Sequence, residues 1–265
     1  MNASSKEVPR ILCAGESCVV VEFGDSIGFE INARVRALRK KIESRPFKGF
    51  IGTVPTYRSL AVCFDPLRSI SANQLERLLS DISADLVTED GTDEELLIIP
   101  TCYEGALAPD LERVAAHAGL SAGEVARRHA ARDYYCYMLG FVPGYPYLGG
   151  MDTSLETPRL KEPRERIPAG SVAIGGKQTG IYPIDSPGGW NLIGTTPLRV
   201  FDPDRTPPIF LNAGMWARFV PVGRAEFDRL TREVAKPDWK PDIRKKERVS
   251  GEEPSHESDR EAASR

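Results

Sequence analysis

The segment from Gly140 to Gly223 is the most informative about the fold, and it begins with GFVPGYPYLGGMD at residues 140–152. It continues with IPAGSVAIGGKQTGIYP at 167–183 and SPGGWNLIGTTPLRVFDP at 186–203. The stretch holds 13 glycines and 12 prolines in 84 residues. A helical domain does not tolerate so much glycine and proline, because proline removes a backbone hydrogen-bond donor and glycine raises the entropy cost of ordering the chain. Short strands joined by tight turns accommodate this content, so the composition predicts a β-barrel or a β-sandwich.

Six short apolar runs are the candidate strands of this domain, which we expect to span residues 140–235. They lie at residues 171–174, 180–184, 190–194, 198–201, 209–211 and 216–222. After them, Phe227, Leu230 and Val234 share one face of an amphipathic segment, which predicts a closing helix over 224–234.

Upstream, residues 11–139 alternate strand-like and helix-like segments. Ser71 with Gln74, and Ser121 with Glu124, are capping-box pairs that each predict the start of a helix. The apolar runs that predict strands lie at residues 17–23, 60–64, 96–99 and 134–139. This alternation predicts an α/β or α+β layered domain over 11–139.

Residues 236–265 differ from both halves in their charge. The segment holds eight basic and eight acidic residues and almost no apolar ones. It cannot bury enough surface to offset the entropy of ordering, which predicts a disordered tail. Within it, the run Arg244-Lys245-Lys246 is either a solvated charge run or a contact for an anionic partner.

Composition and charge exclude several classes of protein. The chain has 265 residues, a net charge of −3 and a pI of about 5.8, and it has no apolar run long enough to span a membrane. A nucleic-acid binder usually carries a basic surplus, so neither nucleic acid nor a membrane is an expected partner. The polar N-terminus has no secretory signal, and the five scattered cysteines fit a reducing compartment. We therefore expect a cytoplasmic protein.

No familiar catalytic signature is present. The three histidines are too dispersed for a zinc site, so no metal centre is expected in the chain. Gly175, Gly176 and Lys177 resemble part of a phosphate loop, but position 171 is a serine where such a loop has glycine. Glycine amides beside a lysine can hold an anion. The same residues also suit a plain β-turn with a solvated lysine, and the sequence leaves both interpretations open.

Aromatic and amide side chains beside tight turns are the other candidate site residues. Tyr145 lies in the first quoted segment, Gln178 follows Lys177, and Tyr182 precedes a Ser-Pro-Gly-Gly turn. Trp190 and Asn191 follow that turn directly. Rigid loops that carry aromatic rings often line pockets, and such rings can equally plug a core.

His129 is the remaining notable titratable group. It precedes Asp133 by four residues, and a carboxylate there is expected to raise the pKa of the imidazole. Both a catalytic base and a histidine satisfied by its neighbours fit this position.

Taken together, the three quoted segments resemble the signatures of the allophanate hydrolase subunit 1 family, also called carboxyltransferase domain subunit 1. That family includes the B-type subunit of 5-oxoprolinase and the kinase inhibitor KipI. The N-terminal half is similar as well, through Gly15-Glu-Ser, Val54-Pro-Thr-Tyr, Phe64-Asp-Pro and Ile99-Pro-Thr-Cys-Tyr. Tyr145 stands where the family usually has phenylalanine. The resemblance covers roughly residues 11–235.

The resemblance implies an α+β N-terminal domain followed by a cyclophilin-like β-barrel. It also implies that the chain works with a homologous carboxyltransferase subunit 2, similar to the C-type subunit of 5-oxoprolinase, and with a protein similar to the A-type subunit. Such an assembly opens 5-oxoproline to L-glutamate with ATP hydrolysis. The implied cofactor is therefore ATP with Mg²⁺, shared with the partner subunit. The chain is expected to be inactive alone. The family leaves two alternatives, an inhibitor of a histidine kinase and a carboxyltransferase subunit of an allophanate or urea carboxylase system.

Under this interpretation each candidate residue takes a role. The catalytic candidates are His129 and Lys177, and the phosphate-binding candidates are Gly175, Gly176 and Lys177. The candidates for contacting the substrate ring are Tyr145, Gln178, Tyr182, Trp190 and Asn191.

Overall fold

The computed structural model describes residues 9–86 and 95–246, and the chain divides into two compact units between Thr92 and Asp93. The first unit has a four-stranded antiparallel sheet in the order β1-β2-β4-β3 with two helices. Its elements are β1 (Arg10–Cys13), β2 (Cys18–Glu22), α1 (Phe29–Ser44), β3 (Phe50–Pro55), β4 (Ser59–Phe64) and α2 (Ala72–Ala84).

The helices of the first unit bury their apolar faces against the sheet. Leu38 of α1 and Leu75 and Leu79 of α2 are inaccessible to solvent, and they pack in one cluster with Val21 and Leu60 of the strands. Alternation along β2 and β4 leaves the other side chains half-buried on the outer face of the sheet.

The predicted capping box at the start of α2 is confirmed. The Ser71 hydroxyl accepts a hydrogen bond from the backbone N–H of Gln74, and the Gln74 side chain accepts one from the backbone N–H of Ser71. The Ser121 hydroxyl likewise accepts from the backbone N–H of Glu124 at the start of a later helix. Two of the exposed N–H groups at the start of α2 are satisfied in this way.

The second unit is built on an eight-stranded sheet. Its strand order is β12-β9-β10-β7-β6-β13-β5-β14, and a separate pair joins β11 to β8. The strands are β5 (Glu95–Thr101), β6 (Asp133–Leu139), β7 (Pro146–Gly149), β8 (Arg164–Ile167), β9 (Ser171–Gly175), β10 (Gln178–Ile181), β11 (Ser186–Gly188), β12 (Asn191–Thr195), β13 (Trp216–Pro221) and β14 (Ile243–Lys245). The helices are α3 (Leu111–Ala118), α4 (Ala122–Ala130) and α5 (Arg224–Val234).

The two sides of this sheet approach each other just beyond the end of β5. Cys102 and Thr195 exchange backbone hydrogen bonds at 2.9 and 3.0 Å, so a residue next to β5 pairs with the end of β12. The fold is therefore a mixed α/β fold with a strongly curved large sheet. The closed cyclophilin-like barrel that the resemblance implies stays a prediction.

The predicted domain boundary at residues 139 and 140 differs from the division in the structure. β6 ends at Leu139 and pairs with β7, with Tyr135 opposite Gly149 and Cys136 opposite Leu148. The boundary prediction rested on the change in glycine and proline content. That change marks where tight turns become frequent within one sheet, and the chain divides instead between Thr92 and Asp93.

The predicted disordered tail is also corrected over residues 236–246. β14 pairs with β5, and the half-buried Trp239 packs against the core of the second unit. Arg244 binds Asp242, and the Lys246 ammonium lies 3.1 Å from Asp133, so this basic run is largely neutralised within the chain. Composition missed the pairing with β5 and the contact with Asp133 because both partners are remote in sequence. The rest of the predicted tail, residues 247–265, lies outside the described residues.

Candidate functional site

Three of the aromatic rings that the sequence singles out lie together in the second unit. The ring centroid of Tyr145 is 5.4 Å from that of Tyr182 and 5.9 Å from that of Trp190, and both pairs meet edge to face. The three residues are only 3, 2 and 7% exposed, in that order. The rings therefore form a packed cluster, which we call the aromatic cluster, with Trp190 nearest to solvent.

Glycines in the quoted motifs make room for these rings. A Cβ atom on Gly175 would lie 2.5 Å from the Trp190 indole, and one on Gly180 would lie 2.8 Å from the Tyr145 hydroxyl. A Cβ atom on Gly188 would overlap the Tyr182 hydroxyl. Such contacts are closer than a real Cβ tolerates, so these glycines are required for packing.

The residues Gly175, Gly176 and Lys177 form a hairpin turn between β9 and β10. Gly176 adopts φ +62°, which suits the first central position of a two-residue turn. Its N–H donates to the Thr157 carbonyl at 2.8 Å, and Gly175 is the packing glycine under Trp190. The Gly176 amide is thus engaged within the chain. The predicted anion site stays a prediction that rests on the half-buried Lys177.

Asn191 joins two parts of the second unit. Its side-chain Nδ2 donates to the carbonyls of Pro158 and Ile174 at 3.0 and 3.1 Å, and its Oδ1 accepts from Arg113 Nε at 3.0 Å. Both ends of its amide are therefore used inside the protein. This arrangement favours a structural role over direct contact with a substrate. Gln178 is half-buried at the start of β10.

Three arginines contact Trp190 or Asn191, and we call Arg113, Arg159 and Arg164 the arginine rim. The guanidinium carbon of Arg159 lies 5.7 Å from the centroid of the Trp190 ring. Arg164 Nη1 donates to the Trp190 carbonyl at 3.4 Å, and Arg113 donates to Asn191. Sequence reasoning missed all three, because scattered single arginines form no recognisable motif.

One acidic residue partly neutralises the arginine rim. Asp110 accepts from Arg164 at 2.7 Å and from the backbone N–H of Leu192 at 2.7 Å. Across the part of the chain that the structure describes, Arg159 has no hydrogen-bond or ion-pair partner, and it is exposed. The planar guanidinium can donate two parallel hydrogen bonds to two oxygens of a carboxylate or phosphate, so Arg159 can bind such an anion beside Trp190. Burial raises the pKa of Tyr182, although the nearby arginines oppose the rise, so its hydroxyl stays protonated.

His129 lies in the core, fully enclosed. The Thr179 hydroxyl donates to the Ala173 carbonyl at 3.1 Å, so it accepts from Nε2–H of His129 at 2.8 Å. Nδ1 of His129 then accepts from the Tyr103 hydroxyl at 2.8 Å. Both ring nitrogens are used, and this geometry supports a structural role rather than the predicted catalytic one.

The predicted effect of Asp133 on His129 is wrong in direction. Burial lowers the pKa of His129 to about 3. Asp133 turns away and binds Arg218 at 2.6 and 2.9 Å and Lys246 at 3.1 Å. A spacing of four residues places the carboxylate at the start of β6, beyond the end of α4, where it no longer shares a helix face with the imidazole.

A cleft of about 470 Å³ opens beside the loop that follows Tyr182. It is bordered by proline rings and by charges of both signs, and its lining includes Pro183, Asp185, Pro197, Leu198, Arg199 and Phe201. Asp185 accepts a hydrogen bond from the backbone N–H of Ala169 at 2.8 Å and forms an ion pair with Arg166, so its negative charge is neutralised within the chain.

Residues 9–86 and 95–246 contain neither a cluster of metal-ligating side chains nor a membrane-spanning helix. No three His, Cys, Asp or Glu side chains in these ranges lie close enough to hold a metal ion. No helix in them has the length and apolar character needed to cross a membrane.

Comparison with known proteins shows a family match over most of the chain. The family described as carboxyltransferase domain, subdomain C and D, matches residues 9–211. A protein of Bacillus subtilis (strain 168), named as the B-type subunit of 5-oxoprolinase, is 40% identical over 227 residues. The match covers 80% of this chain and 92% of that protein.

Solved structures show the same similarity. The crystal structure of TTHA0988 matches with a TM-score of 0.69 at 39% identity, covering 77% of this chain. The match covers 40% of that longer chain. The urea amidolyase of Kluyveromyces lactis matches with a TM-score of 0.73 at 19% identity over 93% of this chain and 17% of that chain, a likeness of fold alone.

Proposed function

This chain belongs to the family of the carboxyltransferase domain, subdomain C and D, and from that premise we propose that it is the B-type subunit of an ATP-dependent 5-oxoprolinase. The proposal is supported by the Bacillus subtilis relative of that name, which is 40% identical over nearly its whole length. We propose that the large sheet is a cyclophilin-like barrel, which the Cys102–Thr195 pairing supports. The cytoplasmic location expected from the sequence is part of the same proposal.

The proposed reaction opens a stable lactam. Amide resonance protects the carbonyl, and phosphorylation of the carbonyl oxygen by ATP makes that oxygen a leaving group. Water then adds to the same carbon, and the ring C–N bond breaks, with the nitrogen taking a proton, to give γ-glutamyl phosphate. A second water displaces the phosphate from this acyl phosphate and leaves glutamate. A site for this chemistry needs cations for the carboxylate and phosphate oxygens and an apolar wall for the ring.

The observation in this chain that best supports the proposal is the exposed guanidinium of Arg159, which lies over the Trp190 ring. We propose that Arg159, with Arg113 and Arg164 beside it, binds the carboxylate of 5-oxoproline or a phosphate oxygen. Trp190, the aromatic ring nearest to solvent in the aromatic cluster, then holds the Arg159 guanidinium in place through a cation–π contact. Lys177 remains the second candidate cation.

In this proposal ATP and Mg²⁺ are shared with the partner subunits. Across residues 9–86 and 95–246 no cluster of carboxylates fits a metal ion, and the Gly176 amide that a phosphate would need already donates to Thr157. We propose that the chain is inactive alone and that its role is to hold and orient the small substrate.

Reconstitution tests the proposal. The full chain is mixed with its cognate C-type and A-type partner proteins, and glutamate formed from 5-oxoproline is measured with and without ATP. We expect turnover only with all three proteins and ATP. No turnover in the complete mixture, together with inhibition of histidine-kinase autophosphorylation by this chain alone, would replace the proposal with the kinase-inhibitor alternative. Carboxylation of urea by a mixture that ignores 5-oxoproline would favour the urea carboxylase alternative.

Replacing one arginine tests the site itself. For Arg159→Met in the reconstituted mixture, we expect KM for 5-oxoproline to rise by about tenfold to a hundredfold, because a charge-assisted hydrogen bond contributes roughly 1.5–3 kcal/mol. The melting temperature should stay unchanged, because Arg159 is exposed. Arg232→Met is the matched control on the exposed side of α5. Equal KM values for the two variants would remove Arg159 from the site.

A further inference from the structure

Two cysteines face each other across neighbouring strands of the first unit. Cys18 of β2 is the direct partner of Cys63 of β4, and their Sγ atoms lie 3.9 Å apart. Both are free thiols and both are half-buried, so a small reagent can reach them.

The ladder around the two cysteines fixes which kind of pair they form. Phe64 N–H donates to the Ser17 carbonyl at 2.9 Å, which makes Ser17 and Phe64 a hydrogen-bonded pair. The pairs alternate along an antiparallel ladder, so Cys18 and Cys63 form the closer, non-hydrogen-bonded type. In that type the Cα atoms are about 4.5 Å apart, inside the range of roughly 4.4–6.8 Å that disulfides span. Rotation of the two side chains is then enough to bring the sulfurs together.

The other three cysteines do not compete for this pairing. Cys13 lies opposite Val19, whose side chain points to the buried face, so Cys13 and Cys18 lie on opposite faces of the sheet. Cys102 and Cys136 are buried in the second unit.

We propose that Cys18 and Cys63 form a reversible disulfide site that closes by exchange with a small disulfide such as oxidised glutathione. The thiolate of one cysteine attacks a glutathione sulfur, which breaks the glutathione S–S bond and releases one glutathione thiolate. The second cysteine thiolate attacks the mixed disulfide and releases the other. The two protein thiols lose two electrons and two protons, and the glutathione disulfide gains them as two thiols.

Closing this bond ties together a large part of the first unit. The loop from Cys18 to Cys63 contains all of α1 and β3. A cross-link over a loop of this length mainly restricts the unfolded chain, so the oxidised unit is the more stable form. The site thus couples the stability of the first unit to the thiol–disulfide balance of its surroundings.

The test treats the folded full chain with oxidised glutathione and then maps its disulfides. We expect two of the five free thiols to disappear, a peptide cross-link between Cys18 and Cys63, and reversal by dithiothreitol. The melting temperature of the first unit should rise by roughly 10–30 °C on oxidation.

Single substitutions separate the proposed pair from general thiol reactivity. Cys63→Ser and Cys18→Ser should each lose both the cross-link and the rise in melting temperature, and Cys13→Ser should keep both. Retention of all five thiols in the folded chain, glutathione adducts without a cross-link, or a cross-link between other cysteines would overturn the proposal. Disulfide mapping of the wild-type chain decides the outcome even if one variant fails to fold.

Discussion

Gly175 shows how the absence of one side chain shapes the candidate site. The indole of Trp190 lies against its backbone, so the turn motif that resembles a phosphate loop is held close to the aromatic cluster. Sequence pattern alone identified the glycines as turn residues. Their second function, making room for a ring, depends on which strand lies alongside and could not be predicted from the motif.

Gly175→Ala is expected to destabilise the protein by roughly 1–3 kcal/mol, because the new methyl group would overlap the Trp190 ring and force it to move. Urea unfolding of the wild type and the variant measures the difference. Gly123→Ala is the control, since a Cβ atom there meets nothing within 4 Å on α4, and alanine favours a helix by up to about 1 kcal/mol. Equal stability of Gly175→Ala and the wild type would contradict this packing argument.

His129 gives a pH dependence of stability with a definite sign. Burial lowers its pKa to about 3, whereas an unfolded histidine has a pKa of about 6.5. Between these values the unfolded chain binds a proton that the folded chain does not, so the free energy of unfolding decreases as the pH falls. From pH 7 to pH 5 the loss due to His129 is about 2 kcal/mol.

The measurement compares urea unfolding at pH 7 and pH 5 in three chains. His129→Gln should lose about 2 kcal/mol less than the wild type over this interval. His117→Gln, which replaces an exposed histidine on α3, should behave like the wild type. The same loss in the wild type and in His129→Gln would show that His129 is not the buried neutral group described above.

At the scale of elements, strands and helices with strong local signals could be predicted, and β14 could not. The capping box of α2 lies in four consecutive residues and is visible in the sequence. β14 has one apolar residue among its three, and it forms because β5 offers a free edge. An edge strand that depends on a distant partner leaves little trace in local composition.

Lys246 anchors the end of the segment that follows α5. Its ammonium binds Asp133 and lies 4.3 Å from the centroid of the Trp216 ring, and its side chain is only 9% exposed. Burial raises the pKa of Asp133, but the hydrogen bonds from Arg218 and Lys246 outweigh that effect and hold the pKa below its usual value. The segment after α5 is thus tied to β6 and β13 as well as to β5.

Lys246→Met is expected to destabilise the second unit by about 1–3 kcal/mol, because it takes away one of the two cations that bind the largely buried Asp133 carboxylate. Thermal unfolding of the full chain measures this. Lys240→Met removes a lysine from the same segment, outside this ion pair, and should change stability by less than about 0.5 kcal/mol. If the two variants have the same melting temperature, Lys246 does not anchor the segment.

For the whole molecule, the expected division at residue 140 is replaced by two units, each with its own buried residues within the described ranges. One core forms between the four-stranded sheet and its two helices, and the other forms around the eight-stranded sheet. The sequence did indicate two halves and mixed α/β character. It placed the boundary too late because β5 and β6 resemble the strands before them, and only their pairing with β7 and β13 shows where they belong.

Residues 1–92 alone are expected to fold, since the first unit has its own buried cluster of valine, leucine and isoleucine side chains. Circular dichroism should show helix and sheet, and urea should unfold the fragment in one cooperative step. Residues 1–139, the domain expected from composition, are the comparison. This fragment should aggregate, because it exposes β6 without β7 and β13. A coil-like spectrum for residues 1–92 would contradict the division.

The position of β13 determines when the second unit can be completed during synthesis. This strand is made from residues 216–221, yet it lies between β6 and β5, which leave the ribosome long before it. Until it emerges, the place between those two strands is unfilled, and each lacks its partner on that side. The first unit is free to fold while translation continues, but the second must wait for nearly its last strand. During that interval its exposed strand edges are the part of the nascent chain that most needs protection by chaperones.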